Sequence, residues 1–204
     1  VSSTPAPAPL TRQLSKSFGN SHDVVQATAF IVSVTGGTVT LTQLEAHLEQ
    51  RALVHETIDQ VLGASTVKPL PYGPAQREVL TLLHDNLRDL GRPWPTASAA
   101  FPLTQKMVDE IHDSASKGPY FALGVFHVYY GGITHGGRDI GQMIDKALKT
   151  NLTYYGKSDG YEDYAKEVNT ITDPDAQKEM IRGGVEAYKY LIAVNNADVF
   201  KPAK

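Results

Sequence analysis

Apolar residues recur at helical spacing along most of the chain. Leu10, Leu14 and Phe18 stand four apart on one helix face, and His22 continues the row. Thr42-Gln-Leu-Glu45 has the form of a capping box. Leu44, Leu48, Val54, Ile58, Val61 and Leu62 follow it up to a stop at Gly63. Leu80, Leu83, Leu87 and Leu90 make a helical stripe closed by Gly91 and the Pro93-Trp94-Pro95 loop, and Leu103, Met107 and Ile111 mark another before Gly118-Pro119. Tyr161, Tyr164, Val168 and Ile171 predict a further helix. Asp173-Pro174 then pairs an N-cap with proline at the first turn, and Tyr188, Leu191 and Ile192 carry the last apolar face. One stretch breaks the pattern. AFIVSVTGGTVTLTQ, taken alone, reads as two strands around a Gly-Gly turn. The whole predicts one all-α domain of seven or so helices, with no internal repeat of 20–50 residues.

Composition narrows the functions available. With 41% hydrophobic and 20% charged residues, the chain can build an ordinary globular core. A net charge of −3 argues against a broad nucleic-acid surface. The absence of cysteine excludes disulfides, iron–sulfur clusters and zinc–thiolate sites. No apolar run approaches the length of a membrane-spanning helix. The opening residues VSSTPAPAP carry no charged side chain and are rich in Pro and Ala. They read as an extended tail over residues 1–9: a linker, the remnant behind a cleaved targeting segment, or simply a boundary.

The candidate chemistry lies in HVYYGGITHGGRDIG, His127 to Gly141, with five glycines among fifteen residues. Walker A, GxGxxG, HExxH and GxSxG are absent, and Gly131–Gly137 lacks the Lys-Ser/Thr of a phosphate loop. His127 and His135 stand eight apart, outside the short metal-motif spacings, and read as packing or hydrogen-bonding residues. His47, His55, His84 and His112 have charged neighbours on predicted helices and read as surface or boundary residues. His22, in line with Leu10, Leu14 and Phe18, should face inward. An inward His opposite a helix stripped of Cβ atoms leaves room for a flat ligand lying directly on backbone. An iron macrocycle would use both walls.

These residues resemble the heme oxygenase family, in particular its plant and algal plastid branch. His127-Val-Tyr-Tyr130-Gly-Gly-Ile-Thr-His-Gly136-Gly137-Arg138-Asp-Ile140-Gly141 is similar, without a gap, to that branch's distal-helix pattern YxxYFAHSAGGRMIG, most specifically in the Gly-Gly-Arg-x-Ile-Gly ending. Leu10–His22 is similar in length and phase to the family's first helix and puts His22 at the axial heme-ligand position. The resemblance continues more weakly through Trp94, Val168-Asn169 and the helix around Glu186–Tyr190, over nearly the whole chain. It implies a single-domain helical bundle over residues 10–200, followed by a C-terminal tail at 201–204. It also overrules the hairpin reading. It implies heme as cofactor, bound by His22, Tyr130, Gly132, Gly136 and Gly137, and oxidative ring opening to biliverdin, CO and iron with electrons from ferredoxin.

The chain departs from that pattern where the chemistry is made. Ile133 stands where members carry a polar distal residue. His135 is two residues further on, about 200° around a helix. Ser15, Gly19, Tyr161 and Ala165 fall at positions where members hold propionate cations, while Lys16 and Lys166 are candidate substitutes one residue out of phase. Two expectations follow: a descendant without catalysis, acting as an accessory subunit of an organellar complex (plastid or mitochondrion) through its tail, or a working heme oxygenase with rearranged contacts. A third is binding of another tetrapyrrole without turnover. Loss of the heme site predicts a slot plugged by Ile133 or Phe126.

Overall fold

The computed structural model describes residues 8–67, 70, 72–156 and 159–202. The expected N-terminal tail, residues 8 and 9 apart, lies outside these residues, as do the last two positions of the C-terminal one. Among the described residues there are ten α-helices and no strand. They are α1 (Leu10–Phe18), α2 (Ser21–Gln26), α3 (Ala29–Thr35), α4 (Leu41–Ala64), α5 (Gly73–Asp89), α6 (Pro102–Ser114), α7 (Tyr120–His135), α8 (Gly137–Leu148), α9 (Tyr161–Val168) and α10 (Pro174–Val194). One connected core runs from Leu10 to Phe200.

Two glycine breaks and one helix in place of a hairpin account for the difference from seven helices. Gly19, at φ +55°, ends α1 in a backbone region that side chains with a Cβ avoid. His22 therefore sits on a separate short helix and does not continue the Leu10/Leu14/Phe18 face. Gly136 likewise divides α7 from α8. The FIVSVT run is helical, as the resemblance implies: α3 buries Phe30, Ile31 and Val34. Burial of that one face outweighs the modest helix penalty of its β-branched residues. The capping box of α4 lies two residues earlier than expected. Thr40 Oγ1 accepts from the Gln43 N–H at 3.3 Å, and Gln43 Oε1 accepts from the Thr40 N–H at 3.0 Å. Asp173 caps α10 as expected, its Oδ1 accepting from the N–H groups of Asp175 (2.8 Å) and Ala176 (2.9 Å).

α4 is the central helix and is covered on nearly every side. Besides its leucines it buries Gln43, His47, Gln50, His55 and Thr57. His47 and His55 are thus core residues, contrary to the surface reading. Phe30 stacks on the His47 ring, with centroids 3.8 Å apart, and Gln76 Nε2 donates to the His55 carbonyl at 2.7 Å.

α7 and α10 cross in direct backbone contact. A Cβ added at Gly124 would overlap the Met180 carbonyl oxygen, and one at Gly183 the Phe121 carbonyl oxygen. At Gly184 it would lie 2.6 Å from Phe18 Cε1, so α1 packs into the same crossing. Neither backbone can yield without moving a whole helix. Gly124→Ala is therefore expected to destabilise the fold by about 3 kcal/mol or more, lowering the midpoint of thermal unfolding by roughly 6–12 °C. Circular dichroism melts of both proteins measure this.

Candidate functional site

A cleft of about 290 Å3 opens between α1–α2 on one side and α7 on the other. α1 contributes Thr11, Ser15 and Phe18, spaced four and three apart on one helix face. α2 contributes His22, Val25 and Gln26 with the same logic. His22 reaches the cleft from an exposed position: its side chain is 66% accessible, with Nδ1 3.7 Å from Asp23 Oδ1. Burial by protein, expected from the sequence, does not hold for it, but its place on the cleft wall does.

Across from it, α7 and the start of α8 present three adjacent rows: His127/Gly131/His135, Val128/Gly132/Gly136, and Tyr129/Ile133/Gly137. Beyond Val128 the middle row is bare. A Cβ at Gly132 would meet no atom within 4 Å, and at Gly136 only the Gly132 carbonyl oxygen at 3.9 Å. No neighbouring protein atom requires either glycine, so the space they leave belongs to the cleft. Gly137 and Gly141 serve packing instead, since Cβ atoms there would press on Tyr155 at 3.4 and 2.7 Å. Ile133 lines the wall without closing the cleft, and Phe126 is buried in the core behind it. The expected plug is absent from both positions.

Several other candidates lie elsewhere. Tyr130 points away from the cleft, stacked on Phe126 (5.2 Å) and edge-on to Tyr164 (5.1 Å). Lys16 is exposed outside the lining. Lys166 is also outside it, paired with Asp163 at 2.9 Å. Ser15 and Tyr161 do reach the cleft, and neither brings a charge to it. His135 stands at the rim, its Nδ1 2.9 Å from the Gly131 carbonyl oxygen and its ring edge-on to Tyr161 at 4.3 Å.

The cleft's one lysine or arginine among the described residues is Arg51 of α4, which sequence reasoning missed. Its Nε donates to His47 Nε2 at 2.6 Å, and its Nη1 lies 3.4 Å from the Tyr154 hydroxyl. The guanidinium carbon lies 5.1 Å from the Tyr129 ring centroid and 5.9 Å from those of Tyr154 and Tyr155. His47 Nε2 also hydrogen-bonds the Tyr155 hydroxyl.

Three imidazoles are held neutral. Burial, and secondarily the nearby Arg51 charge, pushes His47 well below its ordinary value. Burial is also the leading cause at His55, lowered to about 3, and at His127, lowered to about 4 with a smaller contribution from His135. The His127 Nδ1 has no hydrogen-bond partner among the described residues, and its ring lines the cleft.

Searches of family models and of curated proteins find no match. Solved structures do match in fold. The heme oxygenase from Leptospira interrogans aligns at TM-score 0.80 with 17% identity, over 93% of this chain and 99% of that one. Heme oxygenase-1 from the cyanobacterium Synechocystis sp. PCC6803, in complex with heme, aligns at 0.77 with 16% identity, over 93% and 91%. Heme oxygenase-2 from Synechocystis sp. PCC 6803, in complex with heme and NO, aligns at 0.74 with 16% identity, over 92% and 84%. The fold is that of the heme oxygenases.

The buried imidazoles set the acid response. Their folded values lie below the unfolded one near 6.5, so the unfolded chain binds more protons below that pH. Stability is therefore intact above about pH 6.5 and is lost as pH falls toward 4. At pH 5 the loss should be about 2 kcal/mol for each of His55 and His127, read from urea denaturation at pH 7 and pH 5. His55→Gln and His127→Gln should each flatten the dependence.

Proposed function

We propose that this protein holds heme in the cleft between α2 and α7 and does not open the ring. The observation that carries the reading is the pairing of walls. An accessible His22 imidazole faces a helix whose central row, Gly132 and Gly136, is bare for reasons no protein neighbour supplies. Phe18, Ile133, Tyr155 and Tyr188 supply apolar and aromatic lining, which suits a macrocycle that buries most of its surface. The likeness of fold to heme oxygenases solved with heme supports the same assignment.

The residues present fit such a group. His22 would hold the iron, Gly132 and Gly136 would let the opposite ring face approach backbone, and Phe18 and Tyr188 would exclude water from the side. Heme, when bound, supplies a redox-active iron able to carry a small ligand. The chain would supply little beyond that on the α7 side of the glycine row. Ile133 is 2% exposed and carries no hydrogen-bonding group. It can neither orient water nor place a proton. His135, on the other flank of the row, is engaged with the Gly131 carbonyl. Enzymes stabilise developing charge chiefly with preorganised hydrogen-bond donors, and here that position is hydrocarbon.

A second reading, an active heme oxygenase with electrons from a ferredoxin, is favoured by Arg51, which brings a polar group to the cleft from α4. Hemin titration separates the readings. The purified protein should develop a Soret band with one equivalent of hemin, shifted or lost in His22→Ala. With a chemical reductant and air, the loaded protein should keep that band without forming the absorption of biliverdin. Biliverdin formation would establish the second reading, and no spectral change with excess hemin would remove both.

A further inference from the structure

Arg51 is in an unusual position for a charge. The guanidinium carries five N–H donors; Nε donates to His47, Nη1 reaches Tyr154, and the Tyr155 hydroxyl takes a further contact. It has no carboxylate partner among the described residues. Its surroundings are phenol rings and an imidazole kept neutral by burial. A cation removed from water without a counter-charge is costly, and in a fold made only for stability an apolar side chain would serve at least as well. Yet Arg51 forms part of the cleft wall. It lies over Tyr129, one helical turn before Ile133, on the Ile133 side of the bare glycine row. At the rim, Ser15 and Tyr161 offer no charge.

We infer that the Arg51 end of the cleft is a carboxylate site, so that an apolar ligand enters with its acidic group turned inward onto this guanidinium. The Nη1 and Nη2 hydrogens not used by Tyr154 and Tyr155 form the planar fork that a carboxylate accepts. His47 fixes the other edge through Nε, and it is itself held by the Tyr155 hydroxyl and by stacking on Phe30. The side chain is therefore oriented before any ligand arrives. A tetrapyrrole would bring a propionate to this point. A smaller aromatic or aliphatic acid would bring its only charge there. The shared chemistry is a carboxylate on an apolar body. The inference rests on the cleft being a ligand site, as proposed above, but not on heme being the ligand.

The test compares acids with uncharged counterparts in the whole protein and in Arg51→Met and Arg51→Lys. Benzoate should raise the thermal midpoint of the wild-type protein while benzamide does not. Protoporphyrin IX, followed by its fluorescence, should bind at least about tenfold more tightly than its dimethyl ester, the scale of one charge-assisted contact. Arg51→Met should melt no lower than wild type without ligand, lose the response to benzoate, and bind acid and ester alike. Arg51→Lys, keeping charge without the fork, should retain part of the preference. A benzoate response confined to wild type and Arg51→Lys, with no porphyrin bound, would support the carboxylate site and remove the heme reading. Hemin bound through His22, with acid and ester equal in wild type and Arg51→Met and no benzoate effect, would do the reverse. A large fall in the melting point of Arg51→Met with acid selectivity intact would make Arg51 structural and overturn the inference.

Discussion

Where α7 crosses α10, two peptide backbones meet with no side chain between them, at Gly124, Gly183 and Gly184. Close approach of this kind brings many atoms into van der Waals range and fixes the angle and height at which α7 stands. Everything the cleft depends on follows from that placement. Tyr129, Gly132, Ile133 and Gly136 are further along the same helix, so their rows are aimed by the crossing one to three turns away. α1 is seated by the same contact through Phe18 against Gly184, which brings Ser15 and Phe18 to the opposite wall. Glycines thus serve two different ends in one helix. Gly124 lets protein approach protein, and Gly132 leaves a wall unfilled.

Much of this was legible in the sequence. The leucines of α5, three and four apart, and the Asp173-Pro174 start of α10 are local signals, written in spacing and capping chemistry that the fold does not override. The bare stretch of α7 was visible as composition. α3 was legible only through the family resemblance and not from its own residues, because a β-branched run is ambiguous without its neighbours. What decides it is Phe30 meeting His47 across a sequence separation no local window contains.

The misreadings around α4 have one physical origin. A helix buried on nearly all sides has no polar face to contrast with an apolar one. His47 and His55, interleaved with Glu49, Arg51 and Glu56, therefore looked like a solvated surface. Their satisfaction comes from Tyr154, Tyr155 and Gln76, on other elements. Arg51 in particular carried no local sign, since a single arginine among charged neighbours is ordinary. Its meaning comes from what surrounds it: rings in place of carboxylates, and a cleft on the open side.

The break at Gly19 has a mechanical consequence for that cleft. α2 has six residues, short of the length at which a helix sustains itself, and buries none of them. Segments with few buried contacts are the first to open in a native protein. The cleft therefore has one wall set by the α7–α10 crossing, and in the other α1 is seated on that crossing while α2 rests on α10 with little of itself buried. A ligand gripped by His22 would supply the packing that α2 lacks, so the free energy of occupying the cleft and that of ordering its near wall are a single quantity. The width of the slot would then be a property of the occupied protein, set by the thickness of what lies in it.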